Sequence, residues 1–182
     1  MLYVFLACVA GVTADCCLRK FLQLTKYPCT IVFSLLSCAL LLFTFDNPVR
    51  IIKGLFFAQM LIAIGYCDAI KHEIPNLLLI PILLGGMILL NPVPSIVGFF
   101  FVALPLLIVS MITNGAIGGG DVKLMAACGF FLGASGVFCA TFLGLTIFLI
   151  AYPLFYRKHK KANYAMAPYL GIGCFLVYLL QI

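Results

Sequence analysis

Long apolar runs broken by short polar clusters dominate the chain. Eight such runs stand out, at residues 2–17, 29–45, 52–68, 76–90, 95–113, 122–134, 137–155 and 164–181. Most reach the roughly 17–20 residues that a helix needs to cross a bilayer. The fourth and sixth are shorter, which implies little tilt, a locally thin bilayer, or extension into the flanking loops. Most breaks have local causes. Asp46-Asn47-Pro48 closes the second run, Asn91-Pro92-Val93-Pro94 turns the chain after the fourth, and Gly133-Ala134-Ser135-Gly136 parts the sixth from the seventh. Pro105 falls inside the fifth run, where a missing N–H and a ring clash predict a kink. No internal repeat, low-complexity stretch or long linker interrupts the pattern. It predicts an all-α, polytopic transmembrane bundle of about eight helices forming one domain over residues 1–182.

Composition agrees. Of the 182 residues 65% are hydrophobic and 9% charged, where soluble domains run near half and a quarter. Such a chain could not cover its apolar surface in water. The N-terminus is apolar with no basic residue before Arg19, which predicts a first helix that stays in place rather than a cleaved signal. The nine Cys contain no CxxC pair and lie mostly in apolar runs, so they read as small hydrophobes rather than a disulfide or zinc framework.

A net charge of +6 raises the question of nucleic acid. The basic residues argue against it, because they sit in short loops between apolar runs. With eight crossings, nine of them (Arg19, Lys20, Lys26, Lys71, Lys123 and the four in residues 157–161) share one side, and Arg50 and Lys53 take the other. That asymmetry predicts a cytoplasmic location for the nine and an external one for both chain ends. Anionic lipid heads are a natural partner for such loops.

Only five residues are acidic. Asp15 and Asp46 lie near segment ends where the interface solvates them, and Glu73 lies in a polar loop where it is solvated or attracts a basic substrate. Asp68 and Asp121 differ. Asp68 ends the apolar run 54–67, and Asp121 follows Gly118-Gly119-Gly120. A helical hairpin between them returns the chain to the same membrane depth. Two close carboxylates in low dielectric cannot both ionise easily and share a proton. The ionised one takes a proton from water, while the protonated one polarises a peptide carbonyl and later protonates the leaving amine, as in aspartic proteases. Spacing alone fits equally well two interfacial carboxylates paired with Lys71 and Lys123.

The flanking residues add to the first reading. Three glycines free the backbone and leave no side chains beside the carboxylate, although glycine runs also serve helix packing and turns. Asp121 is then expected to open a helix as its N-cap. Ile74-Pro75-Asn76 reads as a rigid loop entering the fourth helix.

The run from Asp68 through Ile74-Pro75-Asn76 resembles the first motif of the type IV prepilin peptidases, in which Ile-Pro-Asn begins six residues after an Asp. Gly118-Gly119-Gly120-Asp121-Val122-Lys123-Leu124 resembles their second motif, Gly-x-Gly-Asp followed by x-Lys-Leu. Ala167-Pro168-Tyr169 is similar to the stretch before their last helix. The resemblance covers roughly 55–182 well and the first two helices loosely.

It implies a GxGD-type intramembrane aspartyl endopeptidase of the inner membrane, with Asp68 and Asp121 catalytic. Gly118, Gly120, Lys123, Ile74, Pro75 and Asn76 would support the site or bind substrate. The implied substrates are prepilins or pseudopilins, cut after a Gly between a basic leader and an apolar helix at the cytoplasmic face. No cofactor or metal is implied for the two-carboxylate chemistry. Longer members carry an insert with two CxxC pairs between their first two helices and also methylate the new N-terminus. Here the loop 18–28 has no CxxC, so the chain resembles the short, peptidase-only form of Tad-type pilus systems, and methyl transfer is not expected.

Lys123 reads as a residue that holds the Asp121 carboxylate ionised or contacts substrate, against the alternative of a snorkelling interfacial lysine. His72 and His159 have no second ligand at metal spacing, and no His is placed by the sequence to activate Cys67 as a nucleophile. Two other functions use similar residues. Presenilin-like proteases share GxGD, but their first Asp directly follows a Tyr, whereas here Cys67 stands between Tyr66 and Asp68. A small proton-coupled transporter would place its acids at mid-membrane in broken helices, commonly with an internal repeat.

Overall fold

The structure is a computed structural model that describes residues 2–22, 30–89, 91–113, 117–155 and 165–180. The described residues form helices, with no strand among them. In chain order these are α1 (Leu2–Leu22), α2 (Thr30–Thr44), α3 (Pro48–Lys71), α4 (Asn76–Gly86), α5 (Pro92–Phe101), α6 (Ala103–Ile112), α7 (Gly119–Phe155) and α8 (Ala167–Leu180). Segments α5 and α6 run on as a single apolar rod, Pro92–Ile112, interrupted at Val102. Pro105 accounts for the interruption, since it cannot donate to the carbonyl four residues back at Phe101.

Among the described residues three helices are long and apolar enough to cross a membrane, Pro48–Lys71, Pro92–Ile112 and Gly119–Pro153, and α2, α4 and α8 are shorter apolar helices. The outer surface suits lipid. Phe43 is 94% exposed, and Met111 and Ile112 are each 74% exposed.

With α5 and α6 taken as one rod, the described residues form seven helices rather than the expected eight, because the segments expected at 122–134 and 137–155 are joined within α7 across a kink. The break expected over 133–136 contracts to a kink at Gly133 (φ 79°, ψ 174°), while Ala134, Ser135 and Gly136 remain helical. A positive φ suits glycine, which carries no Cβ. The chain doubles back there. Before the kink, α7 passes from Asp121 to Phe131, whose ring lies 5.8 Å from Tyr178 near the far end of α8. After it, Gly144 packs on Leu170, and Phe148 meets Tyr169 at 5.5 Å near the start of α8.

Helix starts also moved. Asn47 caps α3 by accepting from the Val49 N–H at 2.9 Å, and Pro48 occupies the first turn, so this helix begins four residues before the expected 52. Asp15 is not solvated at an interface. It is 4% exposed and accepts hydrogen bonds from both the N–H (2.8 Å) and the hydroxyl of Thr30, which caps α2 from a neighbouring helix. Asp46 is exposed, as expected.

Helix α3 packs against α1, α2, α4 and α8. Phe57 and Ile64 on it are fully buried, and Phe57 stacks on Phe131 at 4.0 Å. Close approach elsewhere depends on small residues. A Cβ at Gly98 would lie 2.3 Å from the Gly129 carbonyl oxygen, so α5 and α7 touch backbone to backbone.

Candidate active site

Asp68 lies in the last turn of α3. His72 ends that helix in the left-handed conformation (φ 53°), with its N–H on the Asp68 carbonyl at 2.9 Å. The chain then passes through exposed Glu73 and the loop Ile74-Pro75, and α4 begins at Asn76. On the far side of the hairpin α7 begins at Gly119, so Asp121 sits in its first turn rather than at the expected N-cap. The Gly118 carbonyl starts the helix instead, accepting from the N–H of Asp121 (3.0 Å) and of Val122 (3.3 Å).

The two carboxylates, 53 positions apart in sequence, stand at helix ends that the Gly120–Ile74 and Lys123–Asn76 contacts bring against each other. Asp68 is 6% exposed and Asp121 8% exposed, and Asp68 is near enough for its charge to act on Asp121. Their partners differ. Asp68 Oδ2 accepts from the backbone N–H of Ala167 at 3.0 Å, so its carboxylate caps the N-terminus of α8. Asp121 Oδ1 is buried with no hydrogen-bond partner among the described residues. A buried acceptor left unpaired costs about 1–3 kcal/mol, so such an oxygen calls for an explanation.

The two loops lock onto one another. Gly120 lies against the Ile74 side chain, so close that a Cβ there would sit 3.1 Å from Ile74 Cβ. The Lys123 ammonium donates to Asn76 Oδ1 at 3.2 Å. It is therefore held on Asn76 and not on Asp121, which corrects both its expected pairing and the interfacial ion pair that spacing had left open for Asp121. Pro75, in an extended conformation (φ −65°, ψ 125°), precedes the first turn of α4. Gly118 would bring a Cβ to 3.1 Å from Asp121 Oδ2, whereas Gly119 has nothing within 4 Å. All eight residues singled out in the sequence thus gather at this end of the bundle.

Ala167 was missing from that set. Its contribution is a backbone N–H, which carries no side-chain signature. The Ala167-Pro168-Tyr169 stretch was the available sign, and Pro168 also packs on Gly65 of α3, whose Cβ would lie 3.3 Å from Pro168 Cα. His72 and Glu73 are exposed and Cys67 is buried. Among the described residues no three His, Cys, Asp or Glu side chains cluster as a metal site would need. The expected basic loop 157–161, His159 and most of the loop 18–28 (residues 23–28) fall outside the described residues.

Residues 55–154 match the model of the type IV leader peptidase family. The chain is 31% identical over 148 residues to the prepilin leader peptidase/N-methyltransferase of Bacillus subtilis (strain 168). That match covers 74% of this chain and 58% of the relative, so the chain spans a little over half the length of the curated protein it resembles. No solved structure matches the chain.

Proposed function

The chain belongs to the type IV leader peptidase family, and we propose that it is an aspartyl endopeptidase that removes the basic leader of prepilins or pseudopilins. The observation that carries this reading is the meeting of Asp68 and Asp121 at adjacent helix ends, each less than a tenth exposed. Two carboxylates so placed share one proton. The ionised member takes a proton from a water, whose oxygen attacks the scissile carbonyl carbon. The protonated member donates its hydrogen bond to the carbonyl oxygen as charge develops there. The C–N bond then breaks, and a carboxyl proton passes to the leaving amine. The unpartnered Asp121 Oδ1 supports the scheme, since an acceptor with no protein partner is free to hold the water or the shared proton.

Depth favours a peptidase over a proton-coupled transporter. Asp68 lies three residues before the end of α3 and Asp121 two residues after the start of α7. Both therefore stand at helix ends, where an extended leader joins an apolar helix, and not at the midpoint of a span. Arg19, Lys20, Lys71 and Lys123 sit in or beside the loops assigned to the same side, which supports a cytoplasmic site in the inner membrane. Exposed Glu73, one residue before Ile74, gives a basic leader an acidic neighbour.

The relative's name pairs peptidase with N-methyltransferase, and here only the peptidase half is proposed. Co-expression with candidate prepilins tests the reading. Loss of the leader in the presence of this chain, and its retention without the chain, is the expected result. Retention of the leader by every prepilin that a characterised family peptidase processes in the same cells would overturn it.

A further inference from the structure

The far end of the bundle holds a second polar feature that the peptidase chemistry does not use. A cavity of about 720 Å³ opens between the starts of α3 and α5, the end of α4 and the kink of α7. Its walls include Arg50, Lys53, Asn47, Asn91, Ser95 and Tyr178. Among the described residues no acidic side chain lines it. Asp46, between two lining residues, is exposed and is not part of the wall.

Lys53 is 8% exposed. Its ammonium donates to the Ile88 carbonyl at 2.7 Å and lies 4.5 Å from the centre of the Phe131 ring. Neither partner carries a negative charge, and a cation buried in a membrane protein calls for one. Arg50, one helical turn earlier on α3, offers a planar fork suited to phosphate.

Beside the cavity runs an apolar groove of about 420 Å³ lined by Leu83, Leu84, Met87, Phe99, Phe100 and Phe130, among others. The two features adjoin along three helices. Consecutive residues of the α4 end (Gly86, Met87), of α5 (Ser95, Ile96) and of α7 (Phe131, Phe130) line one and then the other. A cationic, hydrogen-bonding chamber beside an apolar trough has the chemistry of an amphiphile's two halves.

We propose that this end binds one anionic phospholipid from the leaflet opposite the Asp pair. Its phosphate lies between Arg50 and Lys53, and one acyl chain lies in the groove. The phosphate supplies the charge Lys53 lacks, in charge-assisted hydrogen bonds. The lipid ties α3, α4, α5 and the α7 kink together, independently of which peptide is cleaved.

The test is lipid titration of the detergent-purified protein, read by native mass spectrometry and by thermal unfolding. Phosphatidylglycerol should bind about tenfold more tightly than phosphatidylcholine, which has the same phosphate but would bring its choline cation beside Arg50 and Lys53. Soluble glycerophosphoglycerol, which has the head but no chains, should bind at least about tenfold more weakly than the lipid, because chain burial is lost. Lys53→Gln and the exposed-site variant Arg50→Gln should each remove most of the preference for the anionic lipid. Arg50→Gln keeps the test open if the buried-site variant fails to fold. Equal binding of the two lipids would overturn the proposal, as would full preference in folded Arg50→Gln, or binding of inorganic phosphate as tight as that of the lipid.

Discussion

Alanine placed in turn at Gly118, Gly119 and Gly120 should separate three environments that the sequence alone renders as a uniform triplet. At Gly120 a new Cβ would meet Ile74 Cβ, Cγ1 and Cδ1 at 3.1, 3.2 and 3.3 Å. Each contact is a few tenths of an ångström inside ordinary van der Waals distance, so Ile74 or the first turn of α7 must shift. Overpacking of this kind costs about 1–3 kcal/mol. The shift also falls on the turn that carries Asp121. A displacement of about 1 Å at a reacting group costs on the order of a hundredfold in rate. A shift of a few tenths should thus slow processing by about tenfold for Gly120→Ala, and by about a hundredfold or more for Gly120→Val, whose branch adds atoms to the same contact.

At Gly118 the new Cβ would stand 3.1 Å from Asp121 Oδ2. It would crowd the carboxylate directly, with a loss of similar size. At Gly119 nothing lies within 4 Å, and processing should stay within about twofold of the parent. The assay is conversion of a co-expressed prepilin at matched membrane levels of each variant. Ile74→Ala should partly restore the Gly120→Ala enzyme, because it removes two of the three atoms in the way. Equal activity of the three alanine variants, or a Gly119→Ala enzyme worse than the other two, would refute the steric argument.

Three further outcomes are expected. Lys123→Met and Asn76→Ala each break the 3.2 Å bond between the active-site loops and should slow processing about tenfold. The double variant should be little worse than either single one, and full additivity would mean that the bond does not couple the loops. Chelators should leave processing unchanged, because two carboxylates activate water without an ion; activity lost to a chelator and restored by zinc would contradict this. In a background lacking the native Cys, a Cys at position 72 should be labelled only by reagents that reach the cytoplasm, and labelling by an impermeant reagent from outside would reverse the proposed orientation.

Much of the candidate site was legible because the chemistry proposed for it would reside in side chains at fixed spacing. Asp68, Ile74-Pro75-Asn76, the glycines, Asp121 and Lys123 could be picked out one by one, and the hairpin between them explained how distant positions share a depth. The sequence did not say which pairs touch. Lys123 reads as a partner for the acid two residues away, yet it reaches Asn76 across the loops. Ala167 was absent because a backbone N–H looks the same at every position. Asp15 read as a solvated end residue, since its partner Thr30 lies fifteen positions away and only packing of α1 on α2 brings them together. The reversal at residues 133–136 was visible as a cluster of small residues, but one glycine with positive φ proved enough to make it, and the neighbouring residues stayed helical. Helix starts were misjudged where Asn47 and Gly118 begin helices that apolar patterning starts later.

The carboxylate pair is tested most directly by Asp68→Asn and Asp121→Asn, each made singly. Each change keeps the side chain's shape and removes its ability to hold the shared proton. Asp68→Asn leaves an amide oxygen for the Ala167 N–H, so α8 should stay capped. Membrane levels and thermal stability are measured beside conversion of prepilin to mature pilin. Both variants should accumulate as folded membrane proteins with processing reduced by at least about a thousandfold, the scale of losing a proton-transfer group. Near-parental processing by either variant would contradict the account.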